Sequence, residues 1–206
     1  MRVAIVGGTG PFGRALAARL NAAGDDVVVG SRDAARAADT AAELGVAGAA
    51  NVDAVAGADL VVLATKADAA VDTARELASA IGAAPVLSVA SELIRSPAGL
   101  LPRASGSSIA EELQAVLEGP VVAGLHSLAA SNLGAAEEPD EDALVCGDDE
   151  GAKTLALELA GRATAGRALD AGPLAAARVL EGLTAVIVNL NKRYRGHAGI
   201  RITGLG

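Results

Sequence analysis

The most constraining feature of this sequence is a glycine run placed directly after a short apolar segment. Residues 3–6 read Val-Ala-Ile-Val, and Gly8, Gly10 and Gly13 follow with the spacing Gly-x-Gly-x-x-Gly. The apolar run predicts a buried parallel strand, and the helical spacing of apolar residues over 11–20 predicts a helix after the glycines. This order is typical of a dinucleotide site, where backbone and helix N-terminus approach a pyrophosphate.

Each residue of this predicted turn has an expected role. We assign the tight turn to Gly8, the close approach to pyrophosphate to Gly10, and the helix–strand contact to Gly13. Thr9 adds a hydroxyl, and Pro11 and Phe12 complete the same predicted cofactor site.

Strands and helices alternate through almost the whole chain. Further strands are predicted at 27–30, 60–64, 86–89, 120–124, 144–146 and 167–170, and a final helix over 174–191. This alternation predicts an α/β fold, a Rossmann-like doubly wound parallel sheet with a short C-terminal helical extension. We expect residues 1–172 to form an NADP-binding domain. Residues 173–206 would then complete a second-ligand cleft and a dimer interface.

Prolines and glycines between residues 91 and 108 interrupt this alternation. Pro97, Gly99, Pro102 and Gly106 fall in this stretch, and we interpret residues 91–108 as a loop of the length found at active sites.

Composition excludes several classes of protein. The chain of 206 residues is 51% hydrophobic but only 1% aromatic, and its net charge is −8. Acidity and the lack of rings for base stacking argue against nucleic-acid binding. No apolar run approaches the roughly 18 residues of a membrane span, so we expect no membrane partner. A single cysteine, Cys146, favours a reducing, cytoplasmic location.

The end of the second predicted strand indicates which dinucleotide binds. NAD sites place an acidic residue there to bind the ribose 2′-hydroxyl, whereas this strand ends in Ser31 and Arg32. A serine can donate a hydrogen bond to a 2′-phosphate, and an arginine can bind it as a fork. Arg36, one helical turn later, adds a second cation. The sequence therefore predicts NADP(H), the alternative being that Ser31 only caps the helix and Arg32 is solvated.

The chain lacks the usual catalytic groups of nicotinamide enzymes. Tyr194 is followed by Ala198 where short-chain dehydrogenases carry lysine, and only 34 residues follow Gly172, too few for a second helical domain. The spacing of cysteine, histidine and carboxylate residues indicates no metal site. Hydride passing directly between two stacked rings needs little from the protein beyond alignment.

Six segments make the chain resemble a known family, the NADPH-dependent coenzyme F420 reductases, also called F420-dependent NADP oxidoreductases. They lie at residues 1–10, 28–32, 122–127, 144–149, 169–174 and 180–184. The Cys-Gly-Asp-Asp segment at 146–149 and the Leu-Asp-Ala-Gly-Pro-Leu segment at 169–174 are the most specific.

The resemblance implies reversible hydride transfer between nicotinamide C4 and C5 of the deazaflavin coenzyme F420, catalysed by a homodimer. Carried over by position, Thr9, Ser31 and Arg32 bind NADP. Ala64 and Thr65, at the end of the predicted strand 60–64, are further candidates for the cofactor site. His126 lies at the deazaflavin and positions its ring, by a hydrogen bond to a ring carbonyl or by stabilising charge. Thr184 and the tail through Leu205 help to close the pocket.

Departures from the family fall on the second-ligand side. Thr65-Lys66 replaces a Pro-Trp type pair, Ser127-Leu128-Ala129 replaces a Thr-Ile-Pro type segment, and the loop over 90–105 differs. Lys66, Arg103 and the cations at 192–195 are candidates for the negatively charged deazaflavin tail. Two alternatives therefore stay open: an NADPH-dependent reductase of another carbonyl or imine, and a non-catalytic NADP(H) sensor.

Overall fold

The computed structural model of this chain describes residues 1–104 and 106–205. Ser105, which falls within the predicted loop, and Gly206, which ends the predicted C-terminal extension, lie outside the described residues. The strands are β1 (Arg2–Val6), β2 (Asp26–Ser31), β3 (Ala47–Ala50), β4 (Leu60–Leu63), β5 (Val86–Ser88), β6 (Leu93–Ser96), β7 (Gly99–Pro102), β8 (Val121–Gly124), β9 (Ala143–Gly147) and β10 (Ala168–Asp170). The helices are α1 (Pro11–Ala22), α2 (Ala34–Leu44), α3 (Asn51–Ala54), α4 (Ala67–Ile81), α5 (Ile109–Gln114), α6 (Ala130–Leu133), α7 (Glu150–Ala163) and α8 (Ala177–Tyr194), the last preceded by a 3₁₀ turn at Leu174–Ala176.

Eight strands form one sheet in the order β10-β9-β8-β5-β4-β1-β2-β3. The predicted Rossmann-like α/β fold is confirmed, with six strands from β8 to β3 all parallel. The two remaining strands run the other way, because β9 pairs with β8 in antiparallel fashion and β10 is parallel to β9. The helix between β8 and β9 explains the difference. At four residues, α6 is about 6 Å long, too short to return the chain to the opposite edge.

The core lies on both faces of this sheet. Val3 and Ile5 of β1 pack on the face covered by α1 and α7, whereas Ala4 and Val6 pack on the face covered by α4, α5 and α8. Alternate residues of a strand point to opposite faces, so a central strand between two helix layers is apolar throughout. This explains the unbroken apolar runs of the sequence.

The prediction of a loop over 91–108 is wrong in one respect, since this stretch contains an ordered hairpin of β6 and β7. Its turn uses the residues that predicted a loop: the Ser96 hydroxyl donates to Gly99 O at 3.0 Å and accepts from Ala98 N–H at 3.2 Å. Asn189 of α8 holds the hairpin, accepting from Leu100 N–H at 2.9 Å and donating to Leu100 O at 2.7 Å. Local turn signals cannot reveal such a distant partner.

Helix α8 is both a packing element and an apolar surface. The segment Leu174–Tyr194 is long and apolar enough to cross a membrane by length and composition alone. Its polar residues are nevertheless bonded within the protein, as Arg178 donates to Ala104 O and Gly106 O, and Glu181 accepts from Ile109 and Ala110 N–H. Its exposed large apolar side chains are Val179, Val186, Val188, Leu190 and Tyr194.

A buried carboxylate holds the C-terminal tail against the sheet. Asp142, at the start of β9, accepts hydrogen bonds from the Arg167 side chain and from Ile202 N–H at 2.7 Å. The Arg167 hydrogen bond and the backbone donors lower the pKa of the Asp142 carboxyl well below its usual range. The tail beyond α8 is thereby fixed near the carboxyl ends of the parallel strands.

Substitutions at two glycines distinguish the effect of close packing on stability from the effect of helix propensity. A Cβ on Gly13 would lie 2.7 Å from Gly8 Cα and 2.8 Å from Gly7 O, whereas a Cβ on Gly161 of α7 meets nothing within 4 Å. We expect Gly13→Ala to lower the free energy of unfolding by about 2–3 kcal/mol, because backbone must move to relieve overpacking. Gly161→Ala should raise it by about 0.5–1 kcal/mol. Urea unfolding of both variants measures the difference, and an unchanged Gly13→Ala protein would contradict the packing argument.

Candidate functional site

A cleft of ≈ 440 Å³ opens at the carboxyl ends of β1, β2 and β4. Three chain segments build its walls: the glycine turn after β1, the end of β2 with the start of α2, and the end of β4 with α4. The residues lining it are Gly7, Thr9, Gly10, Ser31, Arg32, Asp33, Arg36, Asn51, Ala64, Thr65, Lys66, Ala69 and Thr73. Ligands of open α/β sheets bind at this edge.

The tight turn after β1 belongs to Gly7, which corrects the assignment to Gly8. Gly7 has φ +80°, and a Cβ there would lie 2.8 Å from Ala64 O. Gly8 instead lies against β2, donating its N–H to Ile5 O at 3.0 Å and Gly30 O at 3.1 Å. Because Gly7 and Gly8 are adjacent, the sequence motif alone does not show which of them takes the left-handed conformation.

The N-terminus of α1 faces the cleft without a side-chain cap. Gly10 is its N-cap residue, with no side-chain hydrogen bond, and Pro11 is its first residue. The N–H groups of Phe12 and Gly13 have no acceptor within the helix, as in any first turn, and the positive end of the helix dipole favours an anion here. The Phe12 side chain packs against the core rather than lining the cleft.

Three cations lie in the cleft wall. Arg32, Arg36 and Lys66 line it, and within residues 1–104 and 106–205 they form no ion pair. Asp33 lies among them, but its carboxylate caps α2 by accepting from Ala35 and Arg36 N–H. The site therefore offers uncompensated positive charge, the electrostatic complement of a phosphate group.

The role of Ser31 follows from its own contacts. Its Oγ accepts from Asp33 N–H at 3.2 Å, so the helix cap is Asp33 and not Ser31. The hydroxyl proton stays available to a ligand in the cleft.

Two buried polar atoms of the cleft wall lack partners among the described residues: Asn51 Oδ1 and Thr65 Oγ1. Buried polar groups are normally hydrogen-bonded, and an unpaired one costs free energy. Sequence reasoning proposed Thr65 but missed Asn51, along with Ala69 and Thr73. One signal was present, since Gly30 interrupts the apolar strand β2, and a Cβ there would lie 2.9 Å from Asn51 Oδ1.

His126 lies at the end of β8, two strands away from β4 in the sheet. It is 6% exposed, and its Nε2 lies 3.2 Å from Ala90 O, which can only accept, so Nε2 carries the proton. Burial outweighs that hydrogen bond and lowers the pKa of the imidazole to about 4. At neutral pH His126 is therefore an uncharged ring whose only N–H is already engaged.

Thr184 joins α8 to this part of the site. Its hydroxyl donates to His126 O at 3.1 Å, and Ser91 Oγ lies 2.9 Å from Thr184 Oγ1. One turn earlier, Glu181 accepts N–H groups at the start of α5, and burial raises its pKa to about 7. These contacts fix α8 beside His126.

The structure brings together half of the predicted cofactor residues. Those lining the cleft are Thr9, Gly10, Ser31, Arg32, Arg36, Ala64 and Thr65. Gly8, Pro11, Phe12 and Gly13 shape the turn and helix behind it, and His126 and Thr184 form a separate cluster at β8. Leu205 lies exposed in the tail, outside the cleft lining. Arg103, proposed for the deazaflavin tail, pairs with Glu92 and Glu112 instead.

Comparisons with known proteins agree on one family. A family model described as NADP oxidoreductase, coenzyme F420-dependent, matches residues 2–92. F420-dependent NADP reductases from Methanothermobacter thermautotrophicus and Methanocaldococcus jannaschii are each 34% identical over all of this chain, and the matches span 96% and 99% of those proteins. The crystal structure of a putative F420-dependent NADP reductase from Arthrobacter sp. FB24 superimposes with a TM-score of 0.86 at 25% identity, covering 99% of this chain and 100% of that one.

The lowered pKa of His126 predicts a pH dependence of stability. Unfolded histidine binds a proton below about pH 6.5, whereas folded His126 does so only below about pH 4. This histidine's contribution is therefore complete above pH 6.5 and is lost as the pH falls towards 4. We expect His126→Gln to remove on the order of 2 kcal/mol of the stability change between pH 7.5 and 5. Thermal unfolding at both pH values checks this, with ring ¹⁵N NMR shifts confirming a neutral His126 at pH 5.5.

Proposed function

Since this chain belongs to the family of coenzyme F420-dependent NADP oxidoreductases, we propose that it catalyses reversible hydride transfer between NADP(H) and coenzyme F420. The observation that carries this proposal is the cleft at the ends of β1, β2 and β4. It combines a glycine turn, a helix N-terminus and unpaired cations, as an NADP site requires.

The cleft residues fit NADP(H) group by group. The Phe12 and Gly13 N–H groups at the start of α1 bind the pyrophosphate, and the missing side chains of Gly7 and Gly10 let it approach. Ser31 donates its hydroxyl to the 2′-phosphate while Arg32 and Arg36 neutralise its charge. Thr9 and Thr65 then offer their hydroxyls as hydrogen-bond partners to the part of the cofactor nearer β4. Thr65 Oγ1 has no partner among the described residues. Lys66 lines the same cleft and adds a third cation near the phosphates of the cofactor.

The second ligand is placed over the ends of β5 and β8. His126, Ser91 and Thr184 form a hydrogen-bonded cluster there, and α8 with the tail through Leu205 bounds it. When bound, the nicotinamide and deazaflavin rings supply the hydride chemistry themselves. The protein supplies alignment and excludes water. His126 acts in ring positioning as a neutral group, because its Nε2–H is held by Ala90 O and it carries no charge at pH 7.

One assay tests the reaction. Purified protein is mixed with NADPH and oxidised F420, and loss of the oxidised deazaflavin absorbance is followed. Turnover supports the proposed reaction. Tight NADPH binding without F420 turnover would contradict it, and would leave either a reductase of another carbonyl or imine acceptor or a non-catalytic NADP(H) sensor.

Arg32 provides the test of cofactor preference. An arginine fork on a phosphate contributes about 1.5–3 kcal/mol. We therefore expect Arg32→Ala to raise KM for NADPH at least tenfold while changing KM for NADH less than twofold. Arg19→Ala is the matched control, since Arg19 donates to Leu133 O, Ala135 O and Glu137 O far from the cleft. Equal losses with both cofactors would contradict the 2′-phosphate assignment.

We also propose a homodimer formed through α8, and a cytoplasmic location. Val179, Val186 and Leu190 recur at spacings of seven and four residues, which places them along one face of the helix. A continuous exposed apolar face of this kind is typical of a protein–protein interface. The lone buried Cys146 is consistent with a reducing compartment.

Two matched substitutions test the dimer. Val186 of α8 and Val52 of α3 are each 52% exposed. We expect the native chain to elute at twice its 20.1 kDa mass in size exclusion with light scattering. Val186→Asp should shift it towards the monomer, because a carboxylate would be buried at the interface, whereas Val52→Asp should not. A native monomer, or a Val186→Asp dimer, would contradict the proposal.

A further inference from the structure

One buried side chain in the cofactor cleft is left unused by the roles above. Asn51, the first residue of α3, is 8% exposed, and its Oδ1 has no hydrogen-bond partner among the described residues. Buried side-chain amides are normally paired, because the lost hydration is otherwise uncompensated. The side chain lines the cleft, so a bound ligand is the available source of that partner.

The backbone of β2 leaves space for the Asn51 amide. Gly30 sits in β2 between two residues with side chains, and a Cβ there would lie 2.9 Å from Asn51 Oδ1. A glycine inside a strand weakens it and commonly marks a close approach. Here the approaching group is the Asn51 amide, which occupies the space that a side chain at position 30 would fill.

Strand register fixes which end of the cofactor Asn51 meets. Ser31 of β2 pairs with Ala50 of β3, so Asn51 lies beside Arg32 at the edge of the sheet. It is therefore near the 2′-phosphate position, at the adenosine end of the cleft. The cleft lining also includes the small side chains of Ala69 and Thr73 of α4, which leave room for a flat ring.

We propose that the Asn51 amide hydrogen-bonds the adenosine half of NADP(H) and is a specificity-determining residue of the cofactor site. The inference rests on the NADP(H) site proposed above. An amide offers both an acceptor and donors, and the amine edge of adenine accepts this pairing well. The ribose 3′-hydroxyl carries the same donor chemistry, and the experiment distinguishes the two.

The first test separates affinity from stability. We measure binding of 2′,5′-ADP by calorimetry, since this fragment carries the adenosine end alone, together with thermal unfolding of the unliganded protein. Asn51→Leu should weaken binding about fivefold, the factor for one neutral hydrogen bond. It should not lower the unfolding temperature, because the variant removes an unpaired buried group. The control Asn21→Leu loses the bond to Leu44 O and should show the reverse, with a lower unfolding temperature and unchanged binding.

A second variant displaces the amide without removing it. Gly30→Ala places a methyl group on Asn51 Oδ1, which is the end of a movable side chain, and meets Ala54 Cβ and Ile5 O only at 3.3 Å. The amide must rotate away while the strand keeps its hydrogen bonds. We expect the same weakening of 2′,5′-ADP binding as in Asn51→Leu, and no further loss in the double variant.

Binding of a cofactor analogue shows which group of NADP(H) the Asn51 amide contacts. If Asn51→Leu weakens NADP⁺ but not its hypoxanthine analogue, the contact is to the adenine amine; equal weakening places it on the ribose hydroxyl. Both results support the proposal. Unchanged binding in Asn51→Leu, with binding still lost in Arg32→Ala, overturns the Asn51 assignment and leaves the proposed function standing. No binding of 2′,5′-ADP by the native protein overturns both.

Discussion

The close approach of backbone to backbone around the glycine turn is the constraint on which the rest of this structure depends. Gly7 lies against the carbonyl of Ala64, and Gly13 lies against Gly8. These contacts bring β1, β4 and the start of α1 together without intervening side chains. The N–H groups of α1 can then face the same small volume as the ends of β2 and β4. A single methyl group in either contact would separate the elements that form the cleft.

The reversed direction of β9 and β10 determines how the second half of the site is completed. Because these strands run against the other six, the chain leaves β10 at the edge opposite the cleft. Helix α8 must then run back along the sheet, and it reaches the cleft edge near Thr184, whose hydroxyl bonds to His126 O. The hairpin of β6 and β7 packs on the same helix through Asn189. One helix thus joins the hairpin, the strand end and the exposed valine face.

Sequence reasoning succeeded where the structural role of a residue depends on its neighbours in the chain. The glycine spacing and the Ser31-Arg32 pair predicted the cleft walls, because a strand end and the following turn are local features. It failed where that role depends on a contact with a residue that is distant in the sequence. The hairpin was interpreted as a loop because its stabilising residue, Asn189, lies almost ninety positions away. Asn51 was missed because nothing near it in the sequence reveals that it fills the space left by Gly30. The direction of β9 was missed because segment length alone does not show whether a chain crosses over.

The scarcity of aromatic side chains has a physical consequence for the core and for the cleft. A core rich in alanine and glycine lets backbones pack closely, and it leaves the flat rings to be supplied by ligands. Two buried polar atoms of the cleft, Asn51 Oδ1 and Thr65 Oγ1, have no partner among the described residues, and each lowers the stability of the protein without a ligand. A ligand that satisfies these groups binds only the folded state, so it stabilises the fold by mass action. If the cleft is the cofactor site, as proposed, cofactor binding and the stability of this sheet edge are therefore thermodynamically linked.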